Sequence, residues 1–213
     1  MFKKFLLLFA LLPLLVNAQQ LDLSQIKQLK IRNVGPANMS GRITAIAVAA
    51  TDPKIMVVGA ASGGVWKSTN GGSAWEPIFD DQPTQNIGAV AIDPNNADII
   101  WVGTGEGNPR NSVNLGMGLF KSEDGGLTWK HLGLEKTKSI HRILIDPIES
   151  NTAYIGAHGD PFTPNTDRGL YKTIDGGQHF EQLLYTNQTS GVADMVMHPE
   201  NSKRLFVAMY DHH

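Results

Sequence analysis

Gly64-Val-Trp-Lys-Ser-Thr-Asn-Gly-Gly-Ser-Ala-Trp75, Gly118-Leu-Phe-Lys-Ser-Glu-Asp-Gly-Gly-Leu-Thr-Trp129 and Gly169-Leu-Tyr-Lys-Thr-Ile-Asp-Gly-Gly-Gln-His-Phe180 are three versions of one phrase. Their first glycines stand 54 and 51 residues apart. A period near 50 residues marks a propeller or a solenoid, in which each repeat is one supersecondary unit. The chemistry of the phrase is that of a hairpin. Any interaction is therefore sought elsewhere on the repeat.

Working outward, each phrase is preceded by two short apolar stretches. The first occupies residues 43–48, 87–92, 140–145 and 192–197, and the second residues 55–60, 98–104, 152–157 and 204–209. These lengths suit strands and are too short for independent helices. Asp93-Pro94, Asp146-Pro147 and His198-Pro199 punctuate the connection between them, since proline lacks the ladder donor. The repeat is thus a four-stranded unit, and the blades are expected at about residues 37–80, 83–133, 136–184 and 188–213, the last incomplete. Along the first strand Ile46 and Val48 share one face while Ala45 and Ala47 share the other; Val90 and Ile92 against Ala89 and Ala91 repeat this. Large residues on one side and small ones on the other fit sheets stacked around an axis. Arg142 and Asp194 stand where the alanines stood, and they predict an ion pair across the seam of adjacent blades.

Residues 1–18 read as a signal peptide: Lys3 and Lys4, an apolar run from Phe5 to Val16, and a small-residue cleavage site ending at Ala18. The run is too short to span a bilayer, so no transmembrane segment is expected after cleavage, and residues 19–34 form a lead-in. The expected location is periplasmic, cell-surface or secreted, in a bacterium. Removing residues 1–18 leaves 16 basic against 20 acidic residues, a net charge of −4 that gives nucleic acid no electrostatic foothold. With no cysteine there are no disulfides and no thiolate chemistry. No spacing of metal ligands or cofactor motif appears, so neither a metal nor a cofactor is expected.

In the turn, Asn70, Asp124 or Asp175 can accept backbone N–H groups just ahead, while the glycines supply positive φ. Ser68, Ser122 or Thr173 can bond the same turn, and Trp75, Trp129 or Phe180 closes it. This pattern resembles the Asp-box, or bacterial neuraminidase repeat, of β-propellers. More narrowly it is similar to the sortilin-type N-terminal domain of exported bacterial proteins. The narrower likeness rests on Ser40-Gly41-Arg42-Ile43, Gly63-Gly64-Val65-Trp66-Lys67-Ser68, Trp101-Val102-Gly103-Thr104-Gly105-Glu106 with Asn108-Pro109-Arg110-Asn111-Ser112, and Arg168-Gly169-Leu170-Tyr171-Lys172-Thr173. It extends over residues 34–213 and implies an all-β propeller of four-stranded antiparallel blades whose corner carboxylates are structural. Asn70 departs from the usual Asp and loses a charge. The fourth repeat stops at His213, so the chain reads as an N-terminal fragment of about three and a half blades.

With strands running outward from the axis, the corners lie on one rim and the second-to-third loops on the other. Two of those loops are long, residues 105–117 and 158–168. Long loops on a rigid scaffold carry recognition, which makes Glu106, Arg110, Asn111, His158, Asp160 and the rim residue Arg42 the candidate ligand contacts. Each has a structural alternative: Glu106 and Arg110 can pair to hold the loop, His158 can cap it, and Arg42 can bridge to a linker. Two functions are open. The first is an exported binding or scaffold module for protein, peptide or glycan. The second is a glycoside hydrolase similar to two-propeller xyloglucanases, which needs two carboxylates facing a cleft. The sequence favours the binding module, with no catalytic residue assigned: where those enzymes place an acid in the first blade, this chain has Ala61-Ser62-Gly63.

Overall fold

A computed structural model describes residues 42–108 and 113–211. The expected signal peptide and lead-in, Arg110, Asn111 and the two terminal histidines lie outside them. Three four-stranded sheets follow one another, each in simple chain order: β1 (Ile43–Val48) to β4 (Glu76–Pro77), β5 (Ile87–Asp93) to β8 (Lys130–Gly133), and β9 (Ile140–Ile145) to β12 (Glu181–Leu184). Between their ends lie β2 (Met56–Ala60), β3 (Gly64–Ser68), β6 (Asn96–Thr104), β7 (Leu119–Ser122), β10 (Ala153–Ala157) and β11 (Gly169–Thr173). A fourth sheet pairs β13 (Ser190–His198) with β14 (Asn201–Asp211). All pairings are antiparallel, and a short 3-10 turn at Glu135–Thr137 is the one helical element among the described residues. The first strands β1, β5, β9 and β13 pack side by side. This is the arrangement of β-propeller blades around an axis.

The cores lie in the seams between blades. Val57, Val65 and Phe79 of the first blade meet Ile87, Val102 and Phe120 of the second. Trp101 and Leu119 of the second meet Ile143, Ile155 and Tyr171 of the third. Tyr154 and Leu170 of the third meet Val192 and Met195 of the fourth. A sheet with both faces covered explains why its strands read as nearly continuous apolar runs. The expected ion pair spans the last seam, Arg142 Nε donating to Asp194 Oδ1 at 2.6 Å. It is part-exposed, so it orients the seam more than it stabilises it.

The corners repeat one hydrogen-bond pattern. Gly72, Gly126 and Gly177 donate N–H to the hydroxyls of Ser68, Ser122 and Thr173 at 2.8–2.9 Å. Ala74 and Thr128 donate N–H to Asn70 and Asp124 at 2.8 Å, and His179 donates to Asp175 at 3.0 Å. The Thr128 hydroxyl, then its backbone N–H, holds the Asp124 carboxyl down to about 2. The two glycines of each corner have φ between +70° and +97°, a region a side chain resists. Asn70 keeps the acceptor that the missing charge leaves intact.

Two features of the corners go beyond the repeat itself. Each later corner rests on the blade before it: the Trp129 ring stacks edge-on against Phe79 at 4.9 Å and its Nε1 donates to Ile78 O at 2.6 Å. A closing aromatic expected beneath its own turn therefore also completes the preceding core. In the other direction, Lys67 Nζ of the first blade donates to Gly125 O in the second blade's corner at 2.9 Å.

Candidate functional site

Hydrogen bonds sort the connections onto two rims. Gly71, Gly125 and Gly176 donate to Lys54, Asp98 and Asn151, tying every corner to the first-to-second turn of its own blade. The second-to-third loops gather at the opposite end, where the first strands begin. There each first strand carries a bulge, at Thr44, Gly88, His141 and Ala193. A bulge inserts one unpaired residue and re-aims it. Thr44 Oγ1 uses this to donate to Ile87 O on the next blade at 2.8 Å. Between β1, β5 and β9 lies an open groove of about 340 Å³ lined by Thr44, Ala45, Ala89, His141 and Arg142.

The structure brings Arg42 and Glu106 together. Arg42 donates both Nε, at 3.1 Å, and Nη2 to Glu106 Oε1. Glu106 is only 1% exposed, so its carboxylate faces Arg42 and not solvent. The pair joins the start of the first blade to the long loop of the second. Asn114 of that loop adds a bond from Nδ2 to Ser62 Oγ at 2.8 Å. The loop thus folds back over the first blade's short connection. In this position the carboxylate ties the long loop to the start of the first blade.

His158 is 2% exposed and stacks on Tyr210 with ring centroids 6.2 Å apart. His141 lies 6.4 Å from it by the same measure, also buried. The ring of His141 lies so close to Gly107 that a Cβ there would sit 2.6 Å from Nδ1. Burial first, then the nearby Arg142 and His158, pushes His141 down to about 4. The ring is neutral when folded. Between its ordinary 6.5 and about 4, the unfolded chain takes up a proton that the folded chain refuses. Stability is therefore full above that window and falls as pH drops through it, by about 3 kcal/mol. Denaturation midpoints across the window should show this slope in the parent and lose most of it in His141→Gln. A parent with no slope there would refute the assignment.

Asp160 caps its own loop, accepting Phe162 N–H and the Thr163 hydroxyl at 2.8 Å each. Asp160 is thus committed to its own loop, and Glu106 to Arg42 of the first blade. Two residues not singled out in the sequence define this rim. Arg168 is 1% exposed and donates to four carbonyls: His158 and Thr189 through Nη1, Asp160 and Thr163 through Nη2. It ties the whole of the third blade's long loop to its roots. Phe162, held on that loop between Pro161 and Thr163, is 59% exposed. Among the described residues no group of three or more His, Asp or Glu is placed to hold a metal.

No family model matches the chain. Xyloglucanase Xgh74A of Acetivibrio thermocellus is 32% identical over 112 residues, which cover 44% of this chain and 13% of that enzyme. Among solved structures, a GH74 enzyme of Niastella koreensis superposes with a TM-score of 0.60 at 26% identity, covering 78% of this chain and 26% of that one. An ancestral GH74 enzyme superposes with a TM-score of 0.61 at 20% identity, covering 81% of this chain and 22% of its own; it shares the fold. The chain thus spans about a quarter or less of the length of these relatives. It is a β-propeller segment similar to part of glycoside-hydrolase-like propellers. No helix among the described residues is long and apolar enough to cross a membrane.

Proposed function

We propose that this chain is part of an exported propeller that binds a polysaccharide along its long-loop rim, without supplying the catalytic carboxylates itself. In this reading its corners are Asp-boxes of the sortilin-like kind. The observation that carries the proposal is the paired likeness, at 32% and 26% identity, to a xyloglucanase and a GH74 enzyme. The commitment of Glu106 to Arg42 and of Asp160 to its own loop supports binding over hydrolysis. Phe162 offers a flat apolar face for a sugar ring, on a loop whose backbone Arg168 already holds, so little ordering remains to oppose binding.

The test is native gel electrophoresis through soluble xyloglucan, with an assay for reducing ends on the same samples. Retardation without sugar release is expected. Phe162→Ala should weaken it roughly tenfold with an unchanged melting temperature, because the side chain is exposed. Sugar release by the chain would favour the hydrolase, whose relative in Acetivibrio thermocellus is named for that activity. Absence of retardation with xyloglucan and with other β-glucans would sink the proposal.

A further inference from the structure

The first corner differs from the other two at one position, and the difference is chemical as well as electrostatic. Asn70 precedes Gly71, the single Asn-Gly step in the chain, and both residues are exposed. A side-chain amide next to a glycine can cyclise, because no side chain on the following residue blocks the backbone nitrogen. A Cβ built on Gly71 would meet nothing within 4 Å, so a five-membered ring has room to form here.

The corner both prepares and restrains this reaction. Asn70 Oδ1 accepts two hydrogen bonds, from Ala74 N–H at 2.8 Å and from the Ser68 hydroxyl at 3.0 Å. Two donors on an amide oxygen favour the negative charge that gathers there when a nucleophile attacks. They also fix the assignment of that oxygen, since Ala74 N–H needs an acceptor. The nucleophile itself is withheld: Gly71 N–H is donated to Lys54 O at 3.0 Å. While that bond stands, the N–H is engaged with the first-to-second connection.

We propose that Asn70–Gly71 is a self-modification site whose reaction is gated by the Lys54–Gly71 hydrogen bond. When the bond opens, hydroxide removes the Gly71 amide proton and the nitrogen attacks Asn70 Cγ. The new N–Cγ bond closes a succinimide, and the Cγ–Nδ2 bond breaks to release ammonia. Water then opens the ring at one of its two carbonyls. Opening at the backbone carbonyl leaves isoaspartate, which adds a backbone atom and spoils the corner. Opening at Cγ leaves an ordinary aspartate at this position, the residue type that Asp124 and Asp175 supply in the other corners. The reaction reports how often the first blade's outer connection opens, a local event of lower free energy than global unfolding.

The experiment compares the purified chain with a synthetic peptide of residues 66–76 at the same mildly alkaline pH. Conversion of Asn70 is followed by peptide-mapping mass spectrometry that resolves Asp from isoAsp. The folded chain should convert at least about tenfold more slowly than the peptide. Urea below the unfolding transition should raise its rate towards the peptide's. Asn70→Asp should give the same melting temperature within error and release no ammonia. Equal rates in chain and peptide, an absence of any urea effect, or a peptide that does not convert would each overturn the proposal.

Discussion

Replacing Arg168 with alanine is expected to lower the unfolding free energy by about 3–5 kcal/mol. The guanidinium sits at 1% exposure and serves four carbonyls, three from the first half of the third blade's long loop and one from the following linker. Alanine would leave those oxygens without a donor in a space closed to bulk water, and an unpaired buried acceptor costs more than a hydrogen bond contributes. Lysine should recover only part of the loss, because one ammonium cannot reproduce a planar fork addressing four acceptors. Gly159 lies against the Arg168 stem, so the clamp and the backbone beneath it are matched in shape. Urea denaturation of the parent, Arg168→Ala and Arg168→Lys checks the order. An alanine variant with the parent's midpoint would mean that water replaces the guanidinium without penalty, and the loop would not be clamped.

Gly88→Ala is expected to cost about 3 kcal/mol, from a single added methyl group. Gly88 is the bulged residue of the second blade's first strand. A Cβ there would be driven into the carbonyl oxygens of Gly105 and Ile140. Both are backbone atoms, one in the second blade's long loop and one opening the third blade. Neither can yield as a flexible side chain would, so the seam must part. Thr44, at the same step of the first blade, has space for a side chain and uses it to bond across the seam. Thr44→Ala is therefore the control and should cost no more than a hydrogen bond, about 1 kcal/mol. Thermal unfolding of the two variants should separate them widely; equal shifts would show that the seam accepts a methyl group at Gly88 without parting, against this reading.

The repeated phrase made the fold readable because its period, its turn glycines and its paired apolar stretches all state the same thing. Strand positions follow closely: β1 and β9 begin and end where the apolar stretches do. The seam pair of Arg142 and Asp194 was legible for the same reason, since equivalent positions on neighbouring blades must face one another. The rim was less so. Arg42 and Glu106 are 64 residues apart, and nothing local to either names the other as its partner. Arg168 opens a strand phrase and looks, in sequence, like any surface cation; only the course of the loop above it makes it a buried hub. The bulges were silent as well, because one residue inserted into a short apolar strand leaves its composition unchanged. Phe162 lies in a loop rich in proline and aspartate, where exposure depends on how the backbone is held.

The reach of each corner onto its predecessor gives the array a direction. Trp129 closes over Phe79, and Lys67 finds its acceptor only once Gly125 is in place. A blade emerging from the ribosome or a translocon is therefore unfinished until its successor arrives to roof it. Protection against proteases should be acquired in steps, each lagging one repeat behind synthesis, and a nick between neighbours would loosen the earlier member more than the later.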